Sequence, residues 1–480
     1  MRKDRNRLLK DIKIQEEHKL LSKEAPNSAG ESLLQQFTTG FNNNADLSVS
    51  EFPNLFLKIY YFSYLINKDH YEHFLSNIRN FTPEELKAFL NRSEFNVLSD
   101  MKSIEEAILT GSAILFAEKK AYDLSFKEGK DRSISPSESE TVILGAHDAF
   151  VESVDMNLAL IRKRVMSSKL KTIKLQIGNT AKRNVYLLYI EGAASQNDLE
   201  EIKKRILSVH TDGIVDTNML VQYIGEYPNS PFPQFYTTER PDVTVYKLFD
   251  GKIAGLMENS PYAFCTPVSF FDFMESMDDF GQRWIVSTFI RITRYIAILV
   301  TLLFTALYVS VTTYHYEMIP QALLPTLLES RSKVPFPPVL EALFLEFLLE
   351  LLREAGARLP TKVGQTIGIV GGIVIGQAAV QAGITSNILI IVVAASAIAS
   401  FVVPSYLLSG SIRIVRFGFI LLSGFWGNLG IIFGMGILII HLSSLTNLNS
   451  PYLLPISPMY PKFFKYSLIR GPFKKKAERG

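Results

Sequence analysis

Hydrophobic and polar positions divide this chain into two halves. Residues 1–284 interleave charged and apolar positions in short runs, whereas residues 285–445 are mostly apolar. The first half opens on a polar stretch, 1–47, that reads as a solvated, disordered arm. Beyond it the pattern predicts a small α/β unit over 48–155. FPNLFLKIYYFSYLI at 52–66 has the apolar density of a helix. FTPEELKAFL at 81–90 carries a helix start, Thr82 before Pro83 with Glu85 three residues after Thr82. SAILFAEKKAYDLS at 112–125 reads as a strand hairpin and EGKDRSISPSESE as a loop. Residues 156–282 repeat the style as a second α/β unit. MNLALIRKRVMSSKL is an amphipathic helix with a basic face, and KTIKLQIG and NVYLLYIEG are strands. DLEEIKKRILSVH is a helix capped by Asn197 or Asp198. The unbroken run VYLLYI fits a strand buried on both faces.

The second half, 283–445, predicts an all-α multispan membrane domain. Residues 296–314 carry no charge, and 19 residues rise about 28 Å, close to the hydrocarbon thickness. Arg283, Arg291 and Arg294 stand just before them. Asp278, Asp279 and Arg283 sit between the two halves as candidates for linker ion pairs or for coupling. A shorter, acidic helix follows at 339–354, amphipathic, lying in the interface or dipping against other helices. Its Glu346, Glu350 and Glu354 recur every fourth residue, which fits either a water-facing surface or an acidic vestibule that gathers cations. Further spans are expected at 363–383, 387–408 and 417–440, and a basic tail at 446–480.

The span at 363–383 has two distinct faces. Gly364, Gly368, Gly372 and Gly376 recur every fourth residue and open a groove for a close helix neighbour, an oligomer-packing surface. At ~100° per residue the opposite face gathers Thr366, Val370, Gln377 and Gln381, with Val374 beside them. Lipid does not call for glutamines, so this face either meets a neighbouring helix or lines a water-filled path.

Charge and chemistry change the picture only by exclusion. The net charge of +3 says little about partners, and Cys265 is the single cysteine, so there is no disulfide framework or thiolate cluster. No phosphate-cradling loop, nucleophile elbow or metal-ligand spacing is legible, so no enzyme, cofactor, metal or nucleic-acid partner is expected. The start, MRKDRNRLLKDIKIQEEHKL, is charged throughout and has no apolar signal region. Arginines before the first span and seven Lys or Arg from Pro461 onward argue for cytosolic placement of both ends, hence an even span count. With four spans, Arg413 and Arg416 fall on the other side and conflict with that placement.

Several stretches resemble A subunits of the spore nutrient germinant receptors of endospore-forming Gram-positive bacteria. They are FVESVDMNLALIRKRV at 150–165, NVYLLYIEG at 184–192, FPQFYTTERPD at 232–242, ENSPYAF at 258–264 and TPVSFFDFM at 266–274. In the apolar half they are PFPPVLEALFLEFLLELLREAGARLP at 335–360 and VGQTIGIVGGIVIGQAAVQAGITSN at 363–387. GAHDAF at 145–150 departs mildly from the family's pattern of Gly-Pro followed by a basic and an acidic residue. The resemblance covers roughly 100–460. It implies a multi-pass protein of the spore inner membrane, its N- and C-terminal regions on the core side. The implied partners are membrane lipids, a B-type multispan subunit that binds the nutrient, a C-type lipoprotein subunit, and further copies of the chain. Those copies would form a ring, a pentamer being the expected size, that conducts ions when nutrient binds. A secondary transporter and a non-conducting scaffold are the alternatives.

Overall fold

The structure, a computed structural model, describes residues 33–79, 81–90, 95–117, 120–126, 140, 144–358, 376–459 and 469–471. Its contacts divide the chain into two compact units. One takes residues 1–132 together with Leu158–Ile173; the other takes Ser133–Asn157 and Lys174–Gly480. The boundary expected at 155/156 is therefore a double crossing rather than one cut.

The first unit is built on a five-stranded antiparallel sheet, ordered β1-β2-β4-β5-β3. Its elements are α1 (Leu33–Gly40), β1 (Leu47–Phe52), β2 (Leu57–Phe62), α2 (Lys68–Ile78), α3 (Pro83–Leu90), β3 (Asn96–Leu98), α4 (Met101–Leu109), β4 (Ser112–Ala117) and β5 (Lys120–Ser125). The centre of the stretch 52–66, Leu57–Phe62, is thus strand rather than helix. Leu57 and Ile59 point to one face and Tyr60 and Phe62 to the other, each face with its own core. Tyr71, Ile78, Leu86 and Leu90 cover the first face, and Phe37, Ile104 and Ile108 the second. Burial on both sides replaces the usual in-out alternation with a continuous apolar run. Residues 33–47 of the expected arm are structured: α1 anchors Phe37, fully buried, in the second core. The start signal at Thr82 forms as expected: its backbone N–H donates to Glu85 Oε2 at 2.8 Å.

Arg162 corrects the basic helix face expected at 156–170. On α5 (Val154–Arg164) it is buried, donates to Asp46 at 2.7 Å and to the Leu170 carbonyl, and lies over the Phe62 ring. A buried guanidinium needs that full set of partners.

The second sheet runs β6-β7-β9-β10-β8. Its strands are β6 (Leu170–Ile177), β7 (Arg183–Ile190), β8 (Tyr236–Thr238), β9 (Ile253–Met257) and β10 (Ala263–Thr266). Helices α6 (Gln196–Leu207), α7 (Thr217–Ile224) and α8 (Pro241–Phe249) accompany it. The cap of α6 is Ser195, whose hydroxyl accepts from Asp198 N, rather than Asn197 or Asp198.

The helical part holds α9 (Trp284–Thr313), α10 (Leu324–Arg331), α11 (Pro338–Arg358), α12 (Asn387–Phe401) and α13 (Tyr406–Ser444). Among the described residues, α9 and α13 are long and apolar enough to cross a membrane. Helix α9 has 30 residues, about 45 Å, and starts well before the expected span at 296. Residues 363–375 of the expected second span lie outside the described residues. Helix α12 ends at Phe401, ahead of Pro404, and not at 408.

The largest departure from expectation is α13. One span was expected at 417–440, yet the helix reverses at Gly427, whose backbone (φ 58°, ψ −136°) suits glycine alone. Past the turn, a Cβ on Gly430 would fall 2.0 Å from the Leu422 carbonyl oxygen, so the two arms touch backbone to backbone. The hairpin's open end meets the second sheet domain. There the Ser411 hydroxyl donates to the Pro231 carbonyl, and Ser230 Oγ lies 2.9 Å from His441 Nε2. Its closed end meets the far end of α9, where the Asn428 N–H donates to His315 Nε2 and Tyr314 Oη donates to the Gly424 carbonyl.

Contacts along α9 orient the other helices. Tyr308 Oη pairs with Ser386 Oγ at the start of α12, and Ser396 donates to the Thr301 carbonyl, so α12 runs back toward the domain. Helix α11 does the same, from Val339 beside Gly424 to Glu350 beside Arg413. Arg413 and Arg416 thus lie toward the sheet-domain end of the helical part.

The tail after 445 is ordered at its start. Thr446–Asn447 pairs with Ser450–Pro451, Asn447 accepts from Thr266 Oγ1 at 2.7 Å, and Tyr452 is fully buried.

Candidate functional site

Helices that turn apolar side chains outward must satisfy their polar ones inside. Thr301, Thr305, Ser310, Ser396 and Ser423 are all buried. Their hydroxyls bond to carbonyls, to Asn428 or to Glu346. Outward point Phe289, Ile292, Ile296 and Leu299 on α9, and Ile391 and Ile398 on α12.

Charge collects where α11, α12 and α13 meet. Glu346 is fully buried, accepts from Thr305 at 2.8 Å and lies 2.6 Å from Arg416 Nη2. Arg416, also buried, donates to Ser396 Oγ at 3.1 Å. One turn on, Glu350 accepts from Arg413 at 2.6 Å, with Arg353 at 3.6 Å. Arg353 donates to Ser400 at 2.9 Å and lies over the Phe401 ring. The i, i+4 spacing puts both carboxylates on the face of α11 that meets α13.

This corrects the open acidic vestibule. Glu346 and Glu350 face arginines inside the bundle, and Glu354 alone is exposed, paired with Arg358 at 2.5 Å. An arginine placed among apolar helices must find a carboxylate, and α11 supplies two. The arginines at 413 and 416 inside an apolar run were the available signal for this pairing; Arg353 and Thr305 carried none. As an arrangement, the cluster fixes the register of α11 against α12 and α13.

Of the other candidate residues, Gly364, Thr366, Gly368, Val370, Gly372 and Val374 lie outside the described residues. Gly376 is half-buried, with Ile390 about 4.0 Å from the Cβ it lacks. Gln377 and Gln381 are exposed on the surface of the chain.

A second cluster joins the sheet domain to α9. Asp279, nearly fully buried, accepts from Arg291 at 2.9 Å and from Arg294 at 2.8 Å. Arg294 also donates to the Met274 carbonyl, and Glu275 stands 3.7 Å from Arg291. Asp278 accepts from the Leu144 N–H, and Arg283 is an exposed residue at the start of α9. Asp279 thus makes ion pairs with two arginines of α9.

The network continues through Glu275 to Lys247, which also pairs with Asp272 at 2.6 Å; Lys252 pairs with Asp272 too. Burial opposes the charge on Lys247, but the carboxylates of Asp272 and Glu275 outweigh it and raise its pKa well above the usual lysine value. Burial likewise opposes ionisation of Asp272, and the ammonium groups of Lys247 and Lys252 overcome it and hold the carboxyl below its usual range. Burial pushes the Cys265 thiol up to about 12, so it stays a protonated, small apolar side chain. Among the described residues no group of three His, Cys, Asp or Glu is arranged to hold a metal.

Fold and clusters together define a two-part protein: five-stranded sheet units, and a helical part that buries Glu346 and Arg416 and exposes large apolar side chains. Residues 35–480 match the family described as Bacillus/Clostridium GerA spore germination protein. The chain belongs to that family. It is 43% identical over 411 residues to spore germination protein GerQA of Bacillus cereus, covering 82% of each chain. It is 40% identical over 397 residues to spore germination protein A1 of Bacillus subtilis, again covering 82% of each. Among solved structures, the N-terminal domain of the A subunit of the Bacillus megaterium spore germinant receptor GerK3 aligns with 49% of this chain and 94% of its own. That alignment has 21% identity and a TM-score of 0.37.

Proposed function

We propose that this chain is the A-type subunit of a nutrient-sensing spore germination receptor, and that several copies form an ion-conducting ring in the spore inner membrane. One observation carries the membrane part: the helices expose Ile292, Ile296, Leu299, Ile391 and Ile398 and bury Thr305, Ser396, Glu346 and Arg416, the reverse of a water-soluble bundle. Helices α9 and both arms of α13 cross, with α11 and α12 packed against them. The sheet domain and the residues after 445 then share one side, the spore core.

The glycine face at 364–376 packs neighbouring copies, leaving Thr366, Val370, Val374, Gln377 and Gln381 toward the ring axis. The exposure of Gln377 and Gln381 within one chain supports this. Nutrient recognition falls to a B-type multispan subunit, with a C-type lipoprotein as third partner. The sheet units carry no catalytic or phosphate-binding loop and hold subunits together.

In this reading Val370 forms a dry gate, since a ring of valines excludes a hydrated ion without sealing the pore. Val370→Ala is expected to leak ions in vegetative cells and to cause germination without nutrient, and Val370→Phe to assemble but conduct poorly. A helix rotated by one residue moves the leak to Ile373→Ala or Val374→Ala. Ion release and germination of the four variants are the measurement, and no leak from any alanine variant contradicts the gate.

A further inference from the structure

One loop of the second sheet domain grips both arms of α13. Residues 227–234, YPNSPFPQ, lie between α7 and β8. The Pro231 carbonyl accepts from Ser411 Oγ on the first arm. Its neighbour Ser230 pairs through Oγ with His441 Nε2 on the second, at 2.9 Å. Phe232, 4% exposed, enters the core that also holds Leu408 and Ile412 of the first arm and Leu442 of the second. Its ring lies 5.9 Å from the His441 ring. Tyr227 Oη reaches the end of the second arm, donating to the Ser444 carbonyl at 3.2 Å.

The loop is stiff. Pro228, Pro231 and Pro233 each fix a backbone angle. The Gln234 side chain closes the base: it accepts from the Glu226 and Tyr227 N–H groups at 2.7 and 3.1 Å and donates to the Tyr227 carbonyl at 2.8 Å. Asn447, beyond the second arm, donates to the Gln234 carbonyl. The two ends of the hairpin therefore differ. Near the closed end Gly430 brings the arms backbone to backbone, and at the open end the loop joins them.

We propose that loop 227–234 is a wedge that sets the spacing of the α13 arms at their open end and so converts a displacement of the second sheet domain into a change in the hairpin. The glycine contact near the closed end is the pivot. Because the loop is braced and its aromatic tip is buried, it moves with its domain and carries the arms with it. The wedge rests on contacts within one copy; its effect on ion release rests on the function proposed above.

The test measures distances between spin labels in the full chain in nanodiscs, with labelled chain diluted into unlabelled chain. Ile414→Cys and Ile440→Cys place labels at exposed positions of the two arms toward the open end, and Leu421→Cys and Leu429→Cys toward the closed end. Cys265, the single native cysteine, is buried and does not take label. The 414–440 distance is expected to shorten in Phe232→Ala, while 421–429 stays the same. Gln234→Ala, which keeps the buried tip, is expected to shift 414–440 in the same direction and remains informative if Phe232→Ala does not fold. A 414–440 distance that is unchanged or longer overturns the wedge. Equal changes in both pairs also overturn it, because the whole hairpin has then loosened. Spores carrying Gln234→Ala are expected to lose much of their nutrient response; a normal response despite a shortened distance overturns the transmitting role. Absence of current from the parent chain overturns the conducting ring, and the distances still decide the wedge.

Discussion

Arg416→Met is expected to destabilise the helical bundle severely, and adding Glu346→Met is expected to restore most of the loss. The single change leaves Glu346 fully buried with only Thr305 as donor. An unpaired carboxylate among apolar helices costs about 3–5 kcal/mol, because the desolvation spent to bury it is no longer repaid by a partner. Replacing both members with methionine removes the charge and the penalty together and leaves side chains of similar length. Glu350 keeps Arg413 in either variant. Thermal unfolding in detergent, followed by loss of the monodisperse species, measures both. A free vestibule acid behaves differently: Arg416→Met would then be mild, and Glu346→Gln would lower cation flux in a folded protein.

Asp279→Ala is the second large effect. It strips the carboxylate from two buried arginines, Arg291 and Arg294, which retain the Met274 carbonyl and a longer contact to Glu275. The expected loss is again about 3–5 kcal/mol, concentrated where the sheet domain joins α9. Protease cleavage within 275–283 is expected to accelerate, and spores carrying the variant are expected to lose their nutrient response. Asp278→Ala serves as the control. Asp278 is half-buried and accepts the Leu144 N–H, so its removal is expected to cost less than that of the nearly fully buried Asp279. Equal behaviour of the two variants contradicts a specific role for Asp279.

Much of this architecture was legible in the chain because its signals are local. The cap at Thr82, the hairpin at 112–125 and the strand NVYLLYI each depend on neighbours within a few residues. The stretch at 52–66 reads as helix from sequence because a strand buried on both faces loses its alternation and resembles a helix in density. The hairpin at Gly427 was hidden for another reason. Glycines recur throughout 418–436, and only tertiary contact with Tyr314 and His315 singles out one of them as the turn. The spacing of Glu346 and Glu350 was visible, but their arginines lie more than 60 residues away along the chain, beyond any periodicity. The family was legible from whole words of sequence rather than from a site.

Current across a planar bilayer containing only the purified chain tests the proposed conducting ring most directly. Discrete conductance steps are predicted, prolonged and more frequent in Val370→Ala and absent in Val370→Phe. If neither the parent chain nor Val370→Ala passes current, and conductance arises only when the multispan partner is added, the pore belongs to the partner and this chain is a scaffold.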